Sequence, residues 1–239
     1  GGTGDDSVSI ATDVTLTTTV AVTLGDGTDS VTLASGARLA GAVQGGAGND
    51  TFTLGDSASI TGQVQGGADT DSLSFAGYAS ARSVALTGTT ANGFTGTEAA
   101  VTGGFTGIDS LTGSTSASTD ILTGLNNANA LWRLDATNSY EELTGNQVVT
   151  FSNFDILTGG NTGAQGVNDR FQFGVGVTES FTLLGNGSAV AGFDVVEGSD
   201  NADAFSLAGA NAGSVTVNGQ ASSFSNVQSL EGGAGNDTF

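Results

Sequence analysis

Four glycine-rich turns punctuate the first eighty residues, in the stretches "GGTGDDSVSI", "LGDGTDSVTL", "GGAGNDTFTL" and "GGADTDSLSF". The aspartates that close them, Asp6, Asp29, Asp50 and Asp71, stand 23, 21 and 21 residues apart. Apolar positions keep the same step: Val31, Leu33, Leu39 and Val43 return as Phe52, Leu54, Ile60 and Val64, each 21 residues later. A fixed period of about 20 residues is the mark of a solenoid, because one such unit cannot bury its apolar face alone and must stack on its neighbours. Phe52 and Leu54 alternate with Thr51 and Thr53, the period of a half-buried strand, and Gly-Asp turns bound each run. The sequence therefore predicts an all-β, parallel β-solenoid with rungs of about 21 residues, each built as turn, strand, short turn, strand. The octapeptide "GGAGNDTF" at Gly45 to Phe52 and again at Gly232 to Phe239 is one such turn used twice.

A longer and less regular repeat begins at Phe105, after Gly103-Gly104. Its copies are "FTGIDSLTG" at 105, "FSNFDILTG" at 151, "VAGFDVVEG" at 190 and "FSNVQSLEG" at 224, starting 46, 39 and 34 residues apart. Each leads into an aspartate followed closely by an apolar residue, as at Asp120-Ile121, Asp169-Arg170-Phe171, Asp203-Ala204-Phe205 and Asp237-Thr238-Phe239. Phe151, Phe154 and Leu157 fall three apart, a helical spacing, but the surrounding Thr, Ser, Gly and Asn disfavour helix and fit a corner of a coil. The expected organisation is a short-period solenoid over 1–104 and a longer-period solenoid over 105–239, continuous with the first.

The 239 residues include 40 Gly but no Pro, Met, Cys or His, and the only basic residues are Arg38, Arg82, Arg133 and Arg170. The glycines sit between short β-branched runs instead of pooling in linkers, which argues against disorder. No apolar run approaches the roughly 18 residues that span a bilayer as a helix, so membrane insertion is not expected. The chain does not open on Met and reads as a piece of something longer. Its formal charge of −20, with no basic patch, excludes nucleic acid as a partner. Without His, Cys or Lys, the Ser-His-Asp, Cys-His, Schiff-base and His-ligated zinc chemistries are closed, and no enzymatic activity is expected. Glu141-Glu142 with Arg133 form the one cluster that paired-carboxylate chemistry would use; a solvated loop accounts for them. Trp132, between Leu131 and Arg133-Leu134, is expected in the core, although an indole also stacks on sugars.

The turn chemistry points to a cation. Glycines let the backbone enter positive φ and aim carbonyl oxygens at a common point, and the closing Asp adds a carboxylate. Ca²⁺ takes 6–8 hard oxygens, more than one turn supplies, and rungs about 4.8 Å apart would hold an ion between two levels. Like-charged carboxylates at that spacing repel by about 1 kcal/mol per pair in water, and about 3–4 kcal/mol at an effective dielectric of 20. Gly1-Gly2-Thr3-Gly4-Asp5-Asp6-Ser7-Val8, Gly45 to Phe52 and Gly232 to Phe239 resemble the RTX, or haemolysin-type, calcium-binding repeat, Gly-Gly-x-Gly-x-Asp-x-apolar-x. Leu24 replaces the first Gly of one copy and Asp69 the third Gly of another. Together with the "FSN…LTG" blocks, the chain is similar to large repetitive bacterial surface proteins of adhesin and surface-layer type. The resemblance implies Ca²⁺ as cofactor, with candidate ligands Gly2, Gly4, Asp6, Gly27, Asp29, Gly46, Gly48, Asp50, Asp69, Asp71, Asp169, Asp203 and Asp237. Asp109, Asp155 and Asp194 are read instead as turn or stacking residues.

The function expected on this basis is structural: a calcium-rigidified segment of a secreted, cell-surface fibre, surface layer or adhesin stalk. Its partners would be calcium and further copies of itself, or flanking repeats, stacked end to end. The alternative is a calcium-folding spacer or secretion module of a larger exported protein. The run "TLTTTV" at Thr15 to Val20 resembles the threonine rows of ice-binding solenoids, but it occurs in one rung, and a flat ligand-matching face needs several.

Overall fold

The computed structural model describes residues 1–17, 21–126, 128–160, 168–185 and 194–239, and every regular element among them is a β-strand. Thr18 to Val20 of the threonine run and residues 190–193 of the third long repeat lie outside the described residues. The chain divides into two compact units, one formed by residues 1–120 with 147–154, the other by 121–146 with 155–239.

In the first unit each short-period rung contributes three strands rather than the two that the sequence suggests. Ser30–Leu33, Arg38–Leu39 and Val43–Ala47 make up one rung, and Thr51–Gly55, Ser59–Ile60 and Val64–Ala68 make up the next. The predicted second strand breaks in two at Gly41 and Gly62, whose sequence positions match 21 residues apart. Pairing is parallel and in register with the 21-residue step: Val31 faces Phe52, Leu33 faces Leu54, Leu39 faces Ile60 and Val43 faces Val64. These eight side chains are at most 1% exposed. One face of the unit continues the stack from Ser7–Ile10 through Ser30–Leu33, Thr51–Gly55, Ser72–Gly77 and Ser110–Thr112 to Gln147–Ser152, all parallel.

The step from Ser72 to Ser110 is longer because antiparallel strands intervene. Ser83–Thr90 pairs with Gly93–Glu98, which pairs with Val101–Ile108, whose ends rejoin the parallel stack at Ile60 and Val64. The Asn92-Gly93 step, where Thr90 pairs with Gly93, is the hairpin signal of this excursion. Under these strands Arg82 is buried in an ion pair with Glu98, with its guanidinium 4.0 Å from the centre of the Tyr78 ring. Burying an unpaired guanidinium would be costly, so the carboxylate and the ring faces together make its position tenable.

The second unit repeats the principle with longer excursions. Ile121–Thr123, Ile156–Thr158, Thr182–Leu184 and Gln220–Ser225 stack in parallel. So do Ala130–Leu134, Asp169–Phe173, Val195–Glu197 and Ser229–Glu231. Ala204–Gly209, Ala212–Val217 and Gln220–Ser225 form an antiparallel meander, turned at Asn218-Gly219 with φ of 49° and 78°. Trp132 is fully buried, stacked on Phe171 at 5.7 Å and edge-on to Tyr140 at 4.6 Å, as the core expectation holds.

The corner expected at "FSN" is present. Asn153 and Asn226 both have φ of 58°, and Gly107, third in "FTG", has 64°. Only Gly and the short amides enter this region readily, which explains why the third position of the motif alternates between them.

Replacing Phe52 with Ala removes a fully buried ring from the middle of a stacked column and should cost about 3–5 kcal/mol. Thr53→Ala, whose side chain faces outward, should stay within about 0.5 kcal/mol of the parent. Urea unfolding of both variants checks the inward and outward assignment.

Candidate functional site

The four turn aspartates form a column, and the bonds that join them are hydrogen bonds. The backbone N–H of Asp6 donates to Oδ1 of Asp29 at 2.6 Å, Asp29 N–H to Oδ1 of Asp50 at 2.9 Å, and Asp50 N–H to Oδ1 of Asp71 at 2.8 Å. Asp71 N–H donates in turn to Oδ2 of Asp109 at 2.9 Å. Asp109, read from the sequence as a turn or stacking residue, is thus the fifth member. The signal that marks it is the pattern Asp, hydroxyl residue, apolar residue: Asp109-Ser110-Leu111 copies Asp6-Ser7-Val8, Asp29-Ser30-Val31, Asp50-Thr51-Phe52 and Asp71-Ser72-Leu73.

The second carboxylate oxygen explains the glycine that precedes Asp50, Asp71 and Asp120, a position that Leu24 holds before Asp29. A Cβ on Gly45 would collide with Oδ2 of Asp50, one on Gly66 with Oδ2 of Asp71, and one on Gly113 with Oδ2 of Asp120. The far side of the same space is closed by a carbonyl of the following rung, Gly66 O against Gly45 and Asn153 O against Gly113. Carboxylate and glycine therefore form one packing unit, and "GGxGxD" and "LTG…D" are two spellings of it. Oδ2 of Asp6 accepts the Gly2 N–H at 3.1 Å, whereas Oδ2 of Asp29, Asp50 and Asp71 is buried without a hydrogen-bond partner.

The glycine turns stack by backbone bonds as well. Gly4 N–H donates to Asp26 O, Gly27 N–H to Ala47 O, and Gly48 N–H to Ala68 O. Asp69, in place of the third glycine, holds φ of 75° and accepts from Gly48 N–H through Oδ2 at 3.1 Å. Gly46 continues the parallel pairing, facing Gly25 and Gly67.

In the second unit the candidates separate into two groups. Asp169 N–H donates to Oδ1 of Asp194 at 3.0 Å, and Asp194 N–H donates to Oε1 of Gln228 at 2.7 Å. Asp203 N–H donates to Oδ1 of Asp237 at 3.0 Å, while the Asp203 carboxylate takes the Ser199 N–H and hydroxyl. Asp194, read from the sequence as a turn or stacking residue, belongs to the same device as Asp169. Glu141 and Glu142 lie on the strand Asn138–Glu142 and not in a loop. That strand pairs with Ala130–Leu134, so Arg133 meets Glu141 across it at 3.3 Å, and Glu142 accepts the N–H groups of Thr144 and Gly145 to close the next turn.

Burial sets the electrostatics. Removal from water raises Asp71 to about 7, with the neighbouring Asp50, Asp109 and Asp69 charges adding to the effect, and raises Asp169 to about 8, with Asp194 adding. Asp50, Asp109 and Asp203 are raised chiefly by burial too. Among the described residues no group of three or more acidic side chains is placed to hold one metal ion. Oδ1 of Asp29, Asp50 and Asp71 and Oδ2 of Asp109 are already committed to backbone donors.

Comparison with protein-family models, with curated proteins and with solved structures finds no match for the chain. The class of the protein rests on its own geometry, which is that of an all-β chain of parallel, stacked rungs.

Two outcomes follow. Asp50→Ala strips the acceptor from a buried Asp29 N–H and should cost about 1–3 kcal/mol, whereas Asp50→Asn keeps an acceptor oxygen and should cost less; denaturant titration separates them. A carboxyl whose folded value lies above its unfolded one contributes stability that is complete below the unfolded value and is lost as pH rises through the folded value. For Asp71 that window runs from about 4 up to 7, and for Asp169 up to about 8. The melting temperature should therefore fall as pH is raised from 5 to 8, and Asp71→Asn with Asp169→Asn should flatten the profile.

Proposed function

We propose that this chain is a structural segment of an exported, cell-surface protein, a β-solenoid that builds a fibre, surface layer or adhesin stalk and is stiffened by calcium. The observation that carries the reading is the one repeated register. Successive rungs of each unit meet through parallel strands in fixed alignment, and their turns are joined by the same aspartate-to-backbone bond. The second copy of the octapeptide supports further stacking of such rungs. Asp237 receives the Asp203 N–H, Thr238 bridges to Ala204, and Phe239 stacks on Phe205 at 4.8 Å. This end of the ladder is built like its interior, so a flanking repeat or a second copy is the natural partner.

Calcium enters as the proposed counter-ion of an acidic chain. Its support is the charge of −20, the three buried Oδ2 atoms without donors, and the resemblance of the turns to the RTX repeat. A ligand that binds only the stacked state stabilises that state by mass action, so an acidic chain exported unfolded would fold where calcium is abundant.

Circular dichroism melts in excess Ca²⁺ and in EGTA, with electron microscopy across a concentration series, test both parts. The reading expects a melting temperature several degrees higher with calcium and filaments that lengthen with concentration. An identical β signal and melt after chelation would remove the ion, and isolated short particles at every concentration would remove self-stacking.

A further inference from the structure

The outer face of the first unit's longest parallel stack carries a two-dimensional array of hydroxyls. Its six strands present the tripeptides SVS at 7–9, SVT at 30–32, TFT at 51–53, SLS at 72–74, SLT at 110–112 and TFS at 150–152. The central residue of each points inward, fully buried in every strand but the first, and both flanking residues are at least partly exposed. Register aligns the flanking positions into two unbroken rows, Ser7-Ser30-Thr51-Ser72-Ser110-Thr150 and its counterpart two residues on. All 12 outward positions are Ser or Thr, in a chain with 24 acidic residues. The outward positions of the second unit's Ala130–Leu134, Asp169–Phe173, Val195–Glu197 and Ser229–Glu231 are different, with Arg133, Arg170, Glu197 and Glu231 joined in ion pairs or hydrogen bonds to neighbours. The uncharged hydroxyl face is therefore not repeated on that stack of the second unit.

The rows are partly ordered by their own bonds. Ser30 Oγ donates to Ser7 Oγ at 2.9 Å, Ser72 Oγ to Thr51 Oγ1 at 3.2 Å, and Ser152 Oγ to Thr112 Oγ1 at 3.5 Å. A hydroxyl that spends its one proton along the row keeps a lone pair for an outside donor, so these bonded pairs present acceptors outward, while Thr150 turns its proton to Asp109 O. The occupant such a face fits is uncharged, flat, and periodic in donors and acceptors. Charged polymers and mineral surfaces find no counter-charge here, and a sugar ring finds no aromatic platform, since Phe52 and Phe151 point inward and are buried. A lattice of water does fit. Hydrogen bonds of about 2.75 Å at tetrahedral angles put second-neighbour oxygens about 4.5 Å apart, near the strand spacing of about 4.8 Å that sets the mean step of each row, while the three bonded pairs draw in to 2.9, 3.2 and 3.5 Å, close to a first-neighbour contact.

We propose that this face binds ice, its two hydroxyl rows acting as an anchored edge of the water lattice. The inference uses only the register of the first unit and stands apart from calcium binding and from end-to-end stacking. The test uses the full chain, with its fold verified by its β circular dichroism signal, and measures thermal hysteresis and partition into a growing ice front. The parent should depress ice growth and enter the ice. Thr53→Tyr and Ser74→Tyr, which raise bulky groups in the centre of the array, should lose most of both activities without loss of the β signal. Gln172→Tyr on the second unit should match the parent. If a tyrosine variant fails to fold, Thr53→Val with Thr32→Val removes hydroxyls at constant shape and should lower both readouts. A folded parent left in the liquid, tyrosine variants equal to the parent, or retention on crystalline cellulose without any effect on ice would overturn the proposal.

Discussion

In the rungs closed by Asp50 and Asp71 an aspartate does two jobs that a solenoid turn otherwise leaves undone. One oxygen accepts the backbone N–H of the preceding rung, and the other fills the space that a missing glycine Cβ leaves open. A parallel strand pair satisfies backbone groups along the strand but not at the corner, where a buried N–H without a partner costs as much as a lost core contact. The Asp29 to Asp50 to Asp71 column meets that need with one side chain per rung. The cost is a row of carboxyls removed from water, which shows as the raised proton affinity of Asp71 and Asp169.

The apolar columns and the carboxyl columns divide the work. Phe52, Leu54, Ile60 and Val64 supply burial that is indifferent to small slips along the stack, whereas the Asp50 carboxylate fits one position relative to Gly45 and to the Asp29 N–H. Hydrophobic contact thus favours stacking, and the carboxyl fixes its alignment. The same alignment brings the outward hydroxyls into rows, so the surface pattern follows from the corner chemistry.

Much of the first unit was legible in the sequence because its repeat is strict. The 21-residue step in Val31, Leu33, Leu39 and Val43 named the core columns and their register directly. The two-residue strands Arg38–Leu39 and Ser59–Ile60 were not legible, since so short a run has no periodicity of its own. The antiparallel excursions were signalled by Asn92-Gly93 and Asn218-Gly219, but in a chain with 40 glycines those pairs do not stand out. For the candidate site, the aspartates were found and their bonding was not. Spacing shows that carboxylates recur, but whether an oxygen meets an ion or an N–H depends on where the next rung's backbone lies. Asp109 and Asp194, read from the sequence as turn or stacking residues, stack through the same bond as the aspartates of the glycine-pair turns. The hydroxyl array is not legible as a run of residues, because Thr51 and Thr53 become neighbours of Ser72 and Ser74 only through folding.

The aspartate ladder also has a direction. In the first unit every link runs the same way, from the amide of a lower-numbered rung to the carboxylate of a higher-numbered one, and Asp169 to Asp194 and Asp203 to Asp237 keep that sense. At the closing aspartate the two faces of a rung are therefore unlike, one offering an amide and the other a carboxylate, while Asp5 and Asn49 in the same turns accept from the opposite side. The run of parallel rungs in each unit is thus polar, with a built-in sense of which way it points.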